Sequence, residues 1–268
     1  MNCATPEPPG ESGVEAAFER AWFGGRLHLR QPERGAHRAG TDAVLLASLV
    51  RPYPGTTICD VGAATGAVGL AMALRAPTCG LVLVERDPAL AALARDNAAL
   101  NGMSARVAVL EGDILAGGAE RRMAGLVPGL ADLVLTNPPF FEAGRHRASP
   151  VAGKASAHTL PAGGLDRWLR TCVELLRPRG RLGLIHRADA LPACLDALHG
   201  RFGAIAVRPV QARADMAAIR VLVTAVKGSR APFALLAPVV LHEADGAFTP
   251  FAATLNAGAA WIGPDDAP

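Results

Sequence analysis

The residues that decide the fold are 57–69, which read TICDVGAATGAVG. A short apolar run leads into a turn of small residues, and a helix-compatible run begins at Ala67. Small residues let the backbone of such a turn approach a ligand closely, and the helix presents free N–H groups at its start. The stretch therefore predicts a strand, turn and helix that bind a nucleotide or nucleoside, although a tight connection without a ligand uses the same residue types.

Strand-like and helix-like segments alternate outward from this turn. Strands are predicted at residues 56–61, 81–85, 106–110, 132–136 and 181–186, and helices at 67–75, 88–100, 165–176 and 188–198. Such alternation is typical of a parallel sheet covered by helices on both faces. Three strand-like runs without intervening helices then follow, at 204–210, 219–226 and 233–241, before a hairpin signal at Asp245 and Gly246. The sequence therefore predicts an α/β fold whose sheet ends in antiparallel strands.

The remaining segments suggest one domain between two tails. Residues 1–20 carry Pro, Gly and Glu without periodicity and are predicted to form a flexible tail. Thr41 or Asp42 is expected to cap a short helix made by the apolar run that follows. Because no repeat or change of composition divides the chain, one domain is predicted over residues 21–255, with a second tail over 256–268.

Composition excludes several classes of protein. The 268 residues are 50% hydrophobic and 19% charged, which is enough apolar material for a core. No apolar run reaches the roughly 18 residues of a membrane span, and the early prolines argue against a signal peptide. The five cysteines form no CxxC pair, which argues against a disulfide framework or a metal site and favours a cytoplasmic location.

The net charge of +3 does not identify a partner by itself. A basic chain invites a nucleic-acid interpretation. However, only Lys154 and Lys227 are lysines among the 27 basic residues. A bias toward arginine across the whole chain would raise the charge without any ligand, so position matters more than total charge.

Two acids follow strands next to the predicted turn. Glu85 ends the second strand, where a carboxylate can accept hydrogen bonds from both ribose hydroxyls of a nucleoside. Asp113 follows the third strand, where it could accept from an adenine amine. A solvated carboxylate at a strand end is the alternative for Glu85, but an acid and a small-residue turn together favour nucleoside binding.

The strand predicted at 132–136 is followed by Asn137, Pro138, Pro139 and Phe140. Two prolines fix the backbone and remove two N–H donors, which leaves carbonyl groups and the Asn137 amide oxygen as acceptors beside an aromatic ring. Acceptors arranged in this way bind both hydrogens of a planar –NH2 group and direct its lone pair at an electrophile. We therefore expect these four residues to form the catalytic motif.

Together these motifs resemble the class I S-adenosylmethionine-dependent methyltransferases that act on planar amino groups. Gly40-Thr41-Asp42 with the apolar run after it, followed by Asp60-Val61-Gly62, is similar to the bacterial transfer-RNA adenine-N6 methyltransferases that modify valine tRNA. The resemblance covers residues 25–250. It implies a Rossmann-like, mostly parallel sheet of seven strands with S-adenosylmethionine bound at the small-residue turn.

The resemblance also implies which residues contact the methyl donor. They are Thr41, Asp42, Asp60, Gly62, Ala64, Gly66, Glu85, Asp113 and Asn137. Ala64 departs from the pattern of the family, which has glycine at this position, and its methyl group is expected to crowd the donor slightly.

Basic residues near the motif suggest an RNA-binding rim. Residues 144–159 contain several bases and no acid, and residues 21–38 are also rich in arginine. The predicted phosphate contacts are Arg26, Arg30, Arg38, Arg145, Arg147 and Lys154. A solvated loop is the alternative. The target adenine would have to be unpaired or flipped out of its stack.

Several other functions stay open at this stage. A glutamine side-chain amide of a protein or a DNA adenine could replace the RNA adenine in the same chemistry. An NAD(P)-dependent oxidoreductase uses a similar turn, but it gives no reason for the Asn-Pro-Pro-Phe motif. A module that binds donor or RNA without turnover is a further alternative, although the motif is intact. The sequence does not indicate the oligomeric state.

Overall fold

The computed structural model describes residues 17–32, 39–142 and 159–263. The described chain opens with an antiparallel hairpin of strands β1 (Ala17–Trp22) and β2 (Leu27–Pro32). The prediction of a tail over 1–20 is therefore wrong for its last four residues, because they pair with β2 along a strand. Residues 1–16 lie outside the described part of the chain.

The first helix is α1 (Thr41–Ala47), and Gly40 occupies its N-cap position. The expectation that Thr41 or Asp42 caps the helix is wrong, since both residues already lie inside its first turn. The Gly40 carbonyl accepts from the N–H groups of Ala43 and Val44 at 3.1 and 3.2 Å.

Alternating strands and helices follow as the sequence predicts, with one helix, α4, that it did not predict. They are β3 (Thr57–Val61), α2 (Ala67–Arg75), β4 (Gly80–Glu85), α3 (Pro88–Leu100), β5 (Val107–Glu111), α4 (Gly118–Met123) and β6 (Ala131–Thr136). Two short paired strands come next, β7 (Phe141–Glu142) and β8 (Thr159–Leu160). The chain then forms α5 (Gly164–Leu175), β9 (Leu176–Arg187), α6 (Leu191–Leu198), β10 (Phe202–Gln211), β11 (Ala218–Lys227), β12 (Ala234–Leu235), β13 (Val239–Val240) and α7 (Pro250–Asn256).

The central sheet confirms the predicted α/β class. Its long strands lie in the order β10-β11-β9-β6-β3-β4-β5. Strand β11 runs antiparallel to both β9 and β10, and the other neighbouring pairs of long strands are parallel. A mostly parallel Rossmann-like sheet with an antiparallel strand toward its C-terminal end is therefore confirmed.

The last predicted strand needs correction. Residues 233–241 form not one strand but the short strands β12 and β13, which pair in parallel with β10 and bring the sheet to nine strands. Pro238 lies between them, and proline has no N–H group for the strand ladder. The turn at Gly246 is present, with a single antiparallel bridge between His242 and Phe248.

Both faces of the sheet carry apolar cores. Ile58 points to the face covered by α1, α2 and the β1–β2 hairpin, whereas Cys59 and Val61 point to the face covered by α5 and α6. This alternation is that of a strand buried on both sides. No helix among the described residues is long and apolar enough to cross a membrane.

The C-terminal segment packs against the core, contrary to the predicted tail over 256–268. Asn256 belongs to α7, and the N–H of Ile262 donates to the Ser48 carbonyl at 2.8 Å. The Arg75 guanidinium lies over the Trp261 ring, with its carbon 3.3 Å from the ring centroid. Residues 264–268 are not among the described residues. The single domain over 21–255 stays a prediction.

Two asparagines of α3 and its C-cap dock the hairpin on the sheet. Asn97 is fully buried: its amide oxygen accepts from the Arg30 N–H at 2.7 Å, and its amide nitrogen donates to the carbonyls of Arg30 and Thr65 at 3.0 and 2.9 Å. Asn101 makes the same pair of bonds to His28, at an exposed position. Asn97 therefore joins the hairpin to the turn between β3 and α2.

Replacing Asn97→Ala is expected to lower the free energy of unfolding by about 2–4 kcal/mol, because the buried Thr65 carbonyl and the partly buried N–H and carbonyl of Arg30 lose their partners. Urea unfolding measures the change. Asn101→Ala is the matched control, and it should cost about 1 kcal/mol since water replaces its bonds. Equal losses in the two variants would contradict the role given to Asn97.

Candidate active site

The predicted site residues meet at one edge of the sheet. Strands β4, β3 and β6 are neighbours, and Val61 lies opposite both Val84 and Thr136. The turn after β3, Glu85 at the end of β4 and Asn137 after β6 therefore lie side by side. Ligands of open parallel sheets bind at this carboxyl edge.

Packing and backbone geometry both require small residues in the turn after β3. Gly62 and Gly66 have φ angles of 75° and 85°, in the left-handed region that favours glycine. A Cβ at Gly62 would lie 3.0 Å from Cζ2 of Trp168, and one at Gly66 would lie 2.9 Å from a methyl carbon of Leu83. The glycines therefore serve the fold as well as any ligand.

Ala64 adopts a left-handed backbone too, with a φ of 48°. This conformation costs a residue with a Cβ roughly 1–2 kcal/mol. The N–H of Ala64 donates to Oε2 of Glu85 at 2.8 Å, which holds the strained conformation in place. Crowding of the methyl donor by the Ala64 methyl group stays a prediction. The left-handed backbone of Ala64 adds a conformational cost.

Three N–H groups of the turn are already bonded to acceptors of β4 and its end. Those of Gly62 and Ala63 both donate to the Val84 carbonyl, at 2.9 and 3.0 Å, and that of Ala64 donates to Glu85. A pyrophosphate is normally bound by free N–H groups at such a turn. The geometry therefore favours a nucleoside ligand over a dinucleotide, which argues against the oxidoreductase alternative.

Glu85 is a rigid acceptor at the end of β4. It is 8% exposed, and its Oε1 accepts from the N–H groups of Arg86 and Asp87 at 2.8 and 2.9 Å. With the bond from Ala64, three of the roughly four acceptor positions of a carboxylate are filled. About one position remains, and the predicted bonds from both ribose hydroxyls to Glu85 stay a prediction.

Asp60 lies beneath the turn and is only 2% exposed. Its Oδ2 accepts from the N–H of Gly69 in the first turn of α2 at 2.9 Å. Burial raises the pKa of Asp60 to about 7; the Gly69 bond lowers it, and the nearby Glu85 raises it. Asp60 therefore stays largely protonated below about pH 7, and its bond to Gly69 ties the end of β3 to the first turn of α2.

Asp113 follows β5 at the same edge, as predicted. Its Oδ1 accepts from the N–H of Leu115 at 2.8 Å, and its Oδ2 lies 4.0 Å from the Arg86 guanidinium. The side chain is partly exposed. Its predicted contact with an adenine amine stays a prediction.

Asn137 presents a buried, unused acceptor. Its amide oxygen is buried and has no hydrogen-bond donor in the described parts of the chain. Such a group costs about 1–3 kcal/mol unless a ligand supplies a donor. The preceding residue is fixed, since the Thr136 hydroxyl donates to the Val61 carbonyl at 3.0 Å and accepts from Nε1 of Trp168 at 2.8 Å. The site therefore offers a preorganised acceptor that fits an amine hydrogen.

Phe140 ends the motif among residues that the sequence analysis did not assign to the site. Its ring lies 5.4 Å from the His186 ring at 70°, and the Arg220 guanidinium lies 4.9 Å from its centroid. Arg220 also contacts the Asp42 carboxylate. No local motif marks Arg220 or His186, because strand pairing between β9 and β11 brings them to the site.

His186 is 3% exposed, and its Nδ1 atom has no partner among the residues described. Burial lowers its pKa to about 4, and the charges of Arg187 and Arg220 lower it further while Asp189 opposes them. The ring is therefore neutral at physiological pH.

The described rim arginines lie at different places. Arg30 is held against the turn through Asn97, whereas the Arg26 side chain donates to the Gly258 carbonyl at 3.4 Å, close to the C-terminal end of α2. The backbone of Arg30 thus lies near the turn and Arg26 lies away from it, whereas the Arg30 side chain lies 4.0 Å from the Glu19 carboxylate and its phosphate contact stays a prediction. The other predicted contacts, Arg38, Arg145, Arg147 and Lys154, lie outside the described residues. Thr41 begins α1, and its donor contact stays a prediction.

No group of three or more His, Cys, Asp or Glu in the described ranges could hold a metal ion. The described cysteines are free and buried: Cys59, Cys79, Cys172 and Cys194.

Solved structures share this architecture. A predicted O-methyltransferase, protein Atu636 from Agrobacterium tumefaciens, is 34% identical, with a TM-score of 0.71 over 84% of this chain and 100% of that chain. Together with the match to a methyltransferase family reported below, this likeness confirms the predicted class of S-adenosylmethionine-dependent methyltransferase and its cofactor.

Sequence comparisons define the family. Residues 38–207 match the methyltransferase small domain family. A tRNA1(Val) (adenine(37)-N6)-methyltransferase from Aeromonas hydrophila subsp. hydrophila is 32% identical over 226 residues, which are 81% of this chain and 87% of that relative. The chain therefore belongs to the methyltransferase small domain family.

Other relatives match a smaller share of the chain. A tRNA1(Val) (adenine(37)-N6)-methyltransferase from Porphyromonas gingivalis is 36% identical over 163 residues, which are 58% of this chain and 61% of that relative. A release factor glutamine methyltransferase from Cereibacter sphaeroides is 29% identical over 171 residues, which are 61% of this chain and 57% of that relative. The chain thus spans less than two thirds of both relatives.

The raised pKa of Asp60 makes stability depend on pH. Between about pH 4 and pH 7 the folded chain retains a proton on Asp60 that the unfolded chain releases, so stability falls as pH rises through this window. The Asp60→Asn variant has no such proton to release. The free energy of unfolding of the variant minus that of the wild type should therefore increase steadily from pH 4 to pH 7. Urea unfolding at several pH values measures the difference.

Asp132→Asn is the control for this experiment. Burial by itself would raise the pKa of Asp132, but the Thr57 N–H and the Arg177 guanidinium hold this pKa below its usual value. Ionised Asp132 stabilises the fold above the pKa that it has in the unfolded chain, and this stabilisation is lost as pH falls through its lowered pKa in the folded chain. The control should therefore differ from wild type in its pH dependence only in more acidic solution. A constant difference for Asp60→Asn across pH 4 to 7 would refute the assignment.

Proposed function

We propose that this chain methylates the N6 amine of an adenine in tRNA. The observation that carries the proposal is the buried amide oxygen of Asn137, which lies beside the small-residue turn and lacks a donor among the described residues. The tRNA1(Val) methyltransferases among its relatives support the choice of acceptor. A tRNA substrate also supports the cytoplasmic location expected from the sequence.

The side chains around the motif have separate roles in this proposal. Bound S-adenosylmethionine supplies an activated methyl group. Glu85 orients the donor through ribose hydroxyls, and Asn137 accepts a hydrogen of the target amine so that the nitrogen lone pair faces the methyl group. Pro138 and Pro139 hold their carbonyls in place without competing N–H donors. Phe140 provides a ring against which the planar base stacks.

The rim gives limited support for RNA. The backbone of Arg30 lies next to the turn, and its side chain is about half exposed, 4.0 Å from the Glu19 carboxylate. Phosphate contacts from Arg30, and from the bases outside the described residues, would add affinity that depends on salt. A protein glutamine amide is the second candidate acceptor, since an amide nitrogen also carries hydrogens for Asn137 and one relative is a release factor glutamine methyltransferase.

Asn137→Ala is expected to reduce turnover by about 100-fold or more while S-adenosylmethionine binds almost as before, since the lost acceptor acts on the amine. Calorimetry measures donor affinity, and transfer of a tritiated methyl group measures turnover. Asn256→Ala, in α7, is the control and should change neither. Equal losses of donor binding and turnover for Asn137→Ala would contradict its acceptor role.

The substrate is tested by incubating the enzyme with tritiated S-adenosylmethionine and with tRNA, DNA or protein separately. The proposal predicts label in tRNA that nucleoside digestion recovers as N6-methyladenosine. Affinity for tRNA should fall steeply from low to high salt, because phosphate contacts release counterions. Label in protein with a flat salt response would replace tRNA by the glutamine acceptor.

A further inference from the structure

The ring of Phe140 is held from two sides. The Arg220 guanidinium carbon lies 4.9 Å from the ring centroid, and the His186 ring meets it at 70° and 5.4 Å. A guanidinium at this distance is attracted to the negative face of the ring. The guanidinium therefore covers one face of Phe140, and a planar group that stacks on the ring must use the opposite face.

Asp42 fixes the guanidinium that covers this face. Nε of Arg220 donates to both carboxylate oxygens of Asp42, at 3.1 and 3.0 Å, and Nη1 donates to the Ile219 carbonyl at 3.0 Å. The side chains of Arg220 and Asp42 are each 26% exposed, so water screens the pair only in part. The guanidinium is thus bonded through both Nε and Nη1, which restricts its rotation.

The prolines of the motif do not supply this restraint. Pro138 and Pro139 limit the backbone before Phe140, but the side-chain torsions of Phe140 remain free to rotate. Contacts across the sheet must therefore set the direction of the ring. Among the described residues, Arg220 and His186 provide these aromatic and cationic contacts.

We propose that Arg220, held by Asp42, is a positioning residue that fixes the ring of Phe140 for the planar acceptor. This inference rests on the proposed function, because it takes the acceptor to be a planar amine. It also gives Asp42, which the family resemblance places at the methyl donor, a role on the acceptor side.

The first test observes the ring without any substrate. Phe140 is replaced by 4-fluorophenylalanine, and the fluorine resonance is compared in wild type, Arg220→Gln and Asp42→Asn. The resonance should move toward that of the free amino acid in both variants. Asp42→Asn retains the cation near the ring, so a shift there reports lost restraint and not lost charge. Arg177→Gln removes an Arg–Asp pair away from the site and should leave the spectrum unchanged.

The second test separates positioning from stability. For Arg220→Gln, kcat/KM for the acceptor should fall roughly tenfold, the size expected for one weakened stacking contact, while donor affinity stays within about twofold. Arg220→Lys retains the charge but lacks the planar group, so it should behave like the glutamine variant. Full activity in Arg220→Lys would overturn the role of the planar guanidinium.

The outcomes also distinguish this inference from the proposed function. An unchanged fluorine spectrum in both Arg220→Gln and Asp42→Asn overturns the restraint on the ring. A changed spectrum with unchanged kcat/KM overturns its importance for the acceptor. If wild type labels protein instead of tRNA, the proposed substrate fails, while the fluorine comparison still decides whether Arg220 holds Phe140.

Discussion

Two hydrogen bonds of the Thr136 hydroxyl hold the parts of the site in position. The hydroxyl donates to the Val61 carbonyl at the end of β3 and accepts from the indole of Trp168 in α5. These bonds align β3 and β6 at the edge where the turn and the Asn-Pro-Pro-Phe motif begin. The indole then fills the space that a Cβ at Gly62 would occupy. One buried polar group thus sets the position of both halves of the site.

Electrostatics explains which ligand the turn accepts. Glu85 places a carboxylate beside it, and the N–H groups of Gly62 and Ala63 are already bonded to Val84. A turn of the same sequence pattern would bind phosphate if those donors faced outward. The local hydrogen bonds, and not the glycine pattern alone, therefore separate nucleoside binding from dinucleotide binding.

The sequence predicted the parts of the structure that depend on neighbouring residues. The strand–turn–helix at 57–69 and the position of Asn137 at a strand end follow from local periodicity, and the structure confirms these elements. Arg220 and Trp168 were missed because their roles come from strand order and from packing between distant segments. The packing of the C-terminal segment was missed for the same reason, since its anchor, Arg75, lies far away along the chain.

The turn after β3 and the surroundings of Phe140 are built from contacts of very different sequence separation. The bonds of the turn join residues close in sequence, 21 positions apart for Ala64 and Glu85. The bond between Asp42 and Arg220 spans 178 positions and requires β11 to enter the sheet between β9 and β10. During synthesis from the N-terminus, the half around the turn can therefore form long before the half around Phe140. A chain that stops before β11 would lack the Arg220 restraint on the motif while retaining the residues of the turn.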